Sequence, residues 1–395
     1  MLSERINKLE YSAIRKLLPV VNKVKKQGKK IIYMNAGVPD SDTPREFFEA
    51  ISKFDENRIA YASSNGLDSL REAISKYYKK YNLDYLPEEI FVTTGATEAI
   101  NFALLCLTDK GDRILTSNPY YSNYDMFCQL AEISLDVFET NIKENYSYPK
   151  VEEIEKNIHS NTKAFLICNP SNPTGKVLNR EEVETICKLA KKHNLFIIAD
   201  EIYRDFLYDN KEFVSFADYE DMSDRVILIE SISKRYSACG ARIGAVLCKN
   251  KLINEKIERL CSARIAVATL DQIGAEALYK TDESYINSVV KEYEKRRDLV
   301  YNRLLTIDGV ETNYPEGAFY MIVKLPVDDS EEFAKWILEN FEYKGETIML
   351  TPAAGFYKGE NLGANEIRLV FALSQEKLNR GIKILEEGLK TYNKK

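Results

Sequence analysis

Short apolar runs alternate with amphipathic, helix-like stretches through the middle of this chain, and that alternation restricts the possible folds more than any other feature. Glu89-Ile-Phe-Val-Thr-Thr-Gly95 runs into an apolar helix pattern. Arg113-Ile-Leu-Thr-Ser117 leads to Asn118-Pro-Tyr-Tyr-Ser-Asn-Tyr124, and Lys163-Ala-Phe-Leu-Ile-Cys168 to Asn169-Pro-Ser-Asn-Pro-Thr-Gly175. Leu195-Phe-Ile-Ile-Ala199 leads to Asp200-Glu-Ile-Tyr203, and Val226-Ile-Leu-Ile229 to Ser231-Ile-Ser-Lys234. Short apolar runs bounded by turn residues read as fully buried strands. Strands that alternate with helices call for a mostly parallel sheet covered on both faces. The expected fold class is α/β.

In such a sheet the binding crevice lies at the carboxyl ends of the strands. Gly95-Ala96-Thr97, Tyr121, Asn172, Asp200, Tyr203, Ser231, Ser233 and Lys234 all fall there, and Arg242 follows between Gly240 and Gly244. Gly95-Ala96-Thr97 is a strand-to-helix junction, where free N–H groups and the helix dipole favour an anion. Each residue also has a plain structural explanation. Most lysines are solvated surface charges, and an Asp after a strand is commonly a helix N-cap. Together they offer an anion cradle, a flat aromatic, a carboxylate, a phenol and one lysine. Pyridoxal 5′-phosphate carries a phosphate, an aromatic ring and an aldehyde, and would use every one of them.

Bulk properties exclude several other classes. A chain of 395 residues is long enough for two domains, or for one large domain with a smaller companion. Net charge is −6 with lysine and arginine scattered, which argues against a nucleic-acid surface. The seven cysteines form no CxxC pair and the two histidines lack partners at ligand spacing, so no metal is expected; several of the cysteines sit inside apolar runs and read as reduced core residues. No apolar stretch reaches the length of a membrane span and no signal-peptide pattern opens the chain, so the expectation is a soluble cytoplasmic protein. GxGxxG and GxxxxGK[ST] are absent, and there is no Ser–His nucleophile pair. From about residue 317 short strands stand between helices, as in a smaller α+β domain. The expected division is an N-terminal arm and part of the small domain over 1–45, a large cofactor-binding domain over 46–285, and the rest of the small domain over 286–395.

Asn169-Pro-Ser-Asn-Pro-Thr-Gly175, Asp200-Glu-Ile-Tyr203, and Ser-x-Ser-Lys followed by Gly-x-Arg-x-Gly within 231–244 occur in this order. With them the chain resembles, over nearly its full length, the class I pyridoxal-phosphate aminotransferases of fold type I, the aspartate aminotransferase group. The resemblance implies a large domain built on a mostly parallel, seven-stranded sheet, plus a smaller α+β domain. It makes Lys234 the Schiff-base and proton-carrying lysine, with a pKa lowered by burial beside Arg242. Asp200 would hold the pyridinium, Tyr203 and Asn172 the phenolic oxygen, and Tyr121 the ring face. Ala96, Thr97, Ser231, Ser233 and Arg242 would hold the phosphate, with Tyr61 reaching it from the neighbouring subunit of a homodimer. Arg368 would grip the substrate α-carboxylate, with Gly37, Tyr121 and Asn172 nearby.

The implied reaction moves the amino group of an L-amino acid, aspartate as the single best expectation, to a 2-oxo acid such as 2-oxoglutarate. A β-lyase, or an aminotransferase for an aromatic or neutral amino acid, is the alternative. Thr97 stands where some relatives place a lysine that reads an acidic side chain. Arg264 is a hypothesis for that role, with a helix-end surface arginine as its structural counterpart.

Overall fold

The computed structural model describes residues 4–7, 9 and 12–394. Thirteen strands occur among them: β1 (Lys30–Tyr33), β2 (Ile90–Thr93), β3 (Arg113–Asn118), β4 (Ser134–Glu139), β5 (Thr162–Cys168), β6 (Phe196–Asp200), β7 (Val226–Ser231), β8 (Gly244–Cys248), β9 (Glu311–Thr312), β10 (Tyr320–Lys324), β11 (Glu346–Met349), β12 (Thr351–Pro352) and β13 (Glu366–Val370). Seven form the central sheet in the order β2-β8-β7-β6-β5-β3-β4. β8 alone runs antiparallel to its neighbours, so the sheet is mostly parallel, as the apolar runs demand.

Side chains of successive strand residues point to opposite faces, and here both faces are dry. Ala164 and Leu166 enter one apolar cluster while Phe165 and Ile167 enter another. Ile227 and Ile229 join the first, and Val226 the second. Every residue of β7 is buried. That two-sided burial is why the central strands are continuous apolar runs with no polar alternation.

A second body rests on the four-stranded antiparallel sheet β12-β13-β10-β9 and the parallel pair β1-β11. Its helices include Ser330–Asn340 and Gln375–Tyr392. Leu17, Val21, Val24, Ile32 and Met34 share one core with Leu304, Phe333, Ile337 and Leu385, so the start of the chain helps close the core near its end. In the register Ile322 faces Arg368 and Tyr320 faces Val370. Arg368 and Tyr320 are therefore diagonal neighbours on one face of that sheet.

Two features differ from the sequence reading. β4 does not stand out in the sequence, because Asp136 breaks its apolar run. It is an edge strand, and Asp136 accepts a hydrogen bond from Arg113 Nε at 2.7 Å. No helix follows Asp200: residues 202–205 are turns, and the next helical turn is the short Phe216–Asp218. The N-cap explanation of Asp200 fails, and its burial needs another reason.

Candidate active site

β7 ends at Ser231, and a single helical turn, Ile232–Arg235, carries Lys234 just beyond the sheet. Ser231 caps that turn: its Oγ accepts from Ser233 N–H at 3.1 Å and donates to the Ile243 carbonyl at 3.1 Å. The Ser231 and Ser233 hydroxyls also lie 2.9 Å apart. The cap fixes where the lysine starts, and the lysine stem then turns inward. Lys234 Nζ donates to the Gly37 carbonyl at 2.8 Å and lies 3.9 Å from Cys239 Sγ. Burial pushes the Lys234 ammonium pKa down, with Arg368 and then Arg242 adding to the fall and Cys239 opposing it. The sequence reading named Arg242 as the charged neighbour. The larger cationic influence comes from Arg368, on the other sheet.

Asp200 ends β6 and is buried. Its Oδ2 accepts a hydrogen bond from Tyr124 Oη at 2.6 Å, while its Oδ1 is buried with no partner. Burial pushes the Asp200 carboxyl up to about 6, against the Tyr124 and Ile202 N–H hydrogen bonds and the Lys234 charge, which pull it down. A buried carboxylate oxygen without a donor is costly unless a ligand supplies one. A pyridinium N–H is such a donor, and on this observation the residues fit pyridoxal phosphate.

The anion cradle is also assembled. Helix Gly95–Leu107 opens without a side-chain cap, which leaves first-turn N–H groups free. Gly95 sits at φ +74°, and a Cβ there would lie 2.6 Å from Arg242 Nη2, so the guanidinium rests against the helix start. Arg242 itself is left-handed (φ 56°), exposed, and donates to the Cys239 carbonyl at 3.0 Å. Ala96 and Thr97 follow in the first turn, and Thr97 is exposed.

Arg368, on β13, is 1% exposed and has no carboxylate partner among the described residues. Nη1 donates to Asn172 Oδ1 at 3.1 Å and Nη2 to the Asn35 carbonyl at 2.9 Å, while Nε is buried without a partner. Its guanidinium lies over the rings of Tyr320 at 4.8 Å and Phe356 at 4.9 Å. Asn172 belongs to a loop with cis peptides before Pro170 and Pro173. Tyr121 is half-buried and edge-on to Tyr124, with ring centroids 5.5 Å apart. Tyr203 is buried, and its hydroxyl is 2.7 Å from that of Tyr320.

Tyr61 lies outside this cluster, at 85% exposure. Arg264 is neither a free surface arginine nor a free side-chain reader. It pairs with Glu98 at 3.2 Å and donates to the Ser64 and Val92 carbonyls at 2.8 and 3.3 Å. Sequence reasoning missed Tyr124 and Tyr320, and gave no role to Cys239, which lies beside Lys234. Tyr124 stands in the quoted Asn118–Tyr124 stretch, one turn from Tyr121, which was the available signal.

Comparison with known proteins fixes the family. The profile described as "Aminotransferase class I and II" matches residues 29–385. This chain belongs to the class I and II aminotransferases. A "Probable aspartate aminotransferase" of Methanocaldococcus jannaschii is 33% identical, covering 98% of this chain and 99% of its own. The crystal structure of an aspartate aminotransferase from Thermotoga maritima superposes with a TM-score of 0.89 at 32% identity, over 98% of this chain and all of its own. An alanine aminotransferase from Pyrococcus furiosus gives 0.90 at 30% identity, over 99% of this chain and 100% of its own. The fold is the fold type I of these enzymes, as the sequence motifs imply. The aminotransferase is pyridoxal-phosphate-dependent, and its substrates are amino acids and 2-oxo acids. Among the described residues, no helix is long and apolar enough to cross a membrane.

Proposed function

We propose that this aminotransferase moves the amino group of aspartate to 2-oxoglutarate, working as a cytoplasmic homodimer with Lys234, Asp200 and Tyr203 as its catalytic residues. The observation that carries the carboxylate site is the buried Arg368 without an acidic partner. An uncompensated buried guanidinium is expensive, and a planar carboxylate matches its fork. Aspartate is supported by the names of relatives at about a third identity. Arg15 also favours an acidic substrate: it is exposed, makes no ion pair among the described residues, and its charge acts on Tyr121. The alanine enzyme among the neighbours keeps a neutral donor in play.

When bound, the cofactor supplies an aldehyde that takes up the amino group and a ring that withdraws electrons from the substrate α-carbon. The protein does the rest. Asp200 Oδ1, buried without a donor, would accept the pyridinium N–H and keep that nitrogen protonated. Ala96 and Thr97 N–H, Ser231, Ser233 and Arg242 would hold the phosphate, and Tyr121 would cover the ring. Tyr203 and Asn172 would donate to the phenolic oxygen. Lys234, made less basic by its burial, would be the group that takes the proton from the substrate α-carbon. Arg368, Asn172 and the Gly37 backbone would hold the substrate α-carboxylate close to Lys234. Tyr61, too exposed to act in its own subunit, completes the phosphate site of a second copy, and sedimentation should show a two-chain species. Residues 46–285 would form the large domain, and 1–45 with 286–395 the small one.

The deciding experiment offers each amino acid to the purified enzyme with and without 2-oxoglutarate. Aspartate should give the highest kcat/KM, with oxo-acid product only when 2-oxoglutarate is present. Ammonia release in its absence would make the protein a lyase, and a higher kcat/KM for an aromatic or neutral donor would remove aspartate. In the same assay Arg368→Lys should lower kcat/KM about 100-fold, mainly through KM, because an ammonium cannot reproduce the bidentate fork.

A further inference from the structure

Tyr320 is fully buried on β10, yet its hydroxyl has one polar partner among the described residues, Tyr203 Oη at 2.7 Å. The Tyr203 hydroxyl likewise has no other hydrogen-bond partner there. The two tyrosines come from different sheets, one from the turn after β6 and one from the small antiparallel sheet. The Tyr320 hydroxyl also fills the space a Cβ of Gly37 would need, so the backbone whose carbonyl binds Lys234 passes directly over it. Its ring face lies 4.8 Å from the Arg368 guanidinium. One side chain thus touches the phenol, the lysine's backbone acceptor and the carboxylate-binding arginine.

We propose that Tyr320 is a positioning residue: its hydroxyl donates to Tyr203 and so turns the Tyr203 proton toward the cofactor, while its ring holds the Arg368 guanidinium in plane. This rests on the reading given above, in which Tyr203 donates to the phenolic oxygen. The order of the chain follows from counting protons. A phenol has one proton, so if Tyr203 donates to a ligand, its oxygen must accept from Tyr320. Such a chain polarises, and each donor in it becomes stronger than it would be alone. Burial raises the Tyr320 pKa, and the Arg368 charge across its ring opposes that rise. Burial also raises the Tyr203 pKa, and the neighbouring Tyr320 adds to the rise.

The test uses the cofactor-loaded protein and reads the pH midpoint of its visible absorbance. A weaker donor at the phenolic oxygen leaves more charge there and makes the group conjugated to it more basic. Tyr320→Phe should therefore raise the midpoint by about half a pH unit. In a Tyr203→Phe background the same change should move it by less than about 0.1 unit. Because Phe keeps the ring under Arg368, KM for the amino donor should stay within about twofold while kcat falls several-fold; Tyr320→Leu should raise KM as well. An unchanged midpoint in Tyr320→Phe, or an equal shift in both backgrounds, overturns the proposal. A wild-type protein that takes up no pyridoxal phosphate overturns the parent reading instead. Should Tyr320→Phe not fold, Tyr320→His, which keeps a ring and a donor, serves in its place. A midpoint near wild type is then expected, and one as high as that of Tyr203→Phe counts against the idea.

Discussion

Lys234→Ala should lower the transamination rate by at least about 10⁴-fold, because one substitution removes both the covalent anchor and the proton carrier. No other amine replaces it. Among the described residues the cations that shift Lys234 are Arg368 and Arg242, and arginine does not deprotonate in proteins. The remaining site is untouched: Asp200 Oδ1, the helix start at Gly95 and Arg242 hold no contact that depends on the lysine stem. Cofactor uptake should therefore survive in weaker, non-covalent form. Stopped-flow measurement of oxo-acid formation over a single turnover separates the two effects. A small amine such as methylamine, added at high concentration, should restore part of the rate by carrying the proton. A variant that keeps more than a tenth of the wild-type rate would remove Lys234 from the mechanism.

Asp200→Asn should move activity and apoprotein stability in opposite directions. The Asp200 carboxyl is raised from its ordinary value near 3.8 to about 6, chiefly by burial. In a group raised in this way the folded state prefers the neutral form. The associated stability is fully present below about pH 4 and is lost as pH rises through about 6. At pH 7 the ionised carboxylate thus costs the apoprotein up to about 3 kcal/mol relative to a neutral group, and Asn removes that penalty. Urea unfolding of the two apoproteins from pH 4.5 to 7.5 should give curves that diverge with rising pH, Asn being the more stable above pH 6. Subtracting the curves cancels other buried acids such as Glu201, itself raised to about 7. With cofactor, the sign reverses: Asn cannot hold the pyridinium charge, and kcat should fall by about 10³-fold. Parallel stability curves would mean that Asp200 is already ionised and compensated in the apoprotein.

Much of this molecule could be read from the chain alone, and the parts that could not share a cause. The strands β2, β3, β5, β6 and β7 announce themselves because both faces are buried, which forces unbroken apolar runs. β4 escapes because an edge strand needs apolar residues on fewer positions, and its Asp136 is satisfied by Arg113. Lys234, Asp200 and Tyr203 are legible because each stands directly after such a run. Arg368 is different. In sequence it is one charge inside an ordinary apolar strand, and only the resemblance to the aminotransferases pointed to it. Tyr320 sits in an equally plain run and carried no signal at all.

The sequence by itself determined the α/β class, the mostly parallel sheet, the lysine, the acid and the family, because these depend on local patterns of burial and on motifs within one segment. Only the tertiary structure decided what those residues meet. It showed that Asp200 Oδ1 is left without a donor, that Arg368 is buried without an acid, and that Arg264 is taken by Glu98. It also joined Tyr203 to Tyr320 across 117 residues and Lys234 to Gly37 across 197. Such contacts join segments far apart in the chain, and their energies depend on desolvation and angle. Neither quantity exists until two distant pieces of backbone are packed against each other.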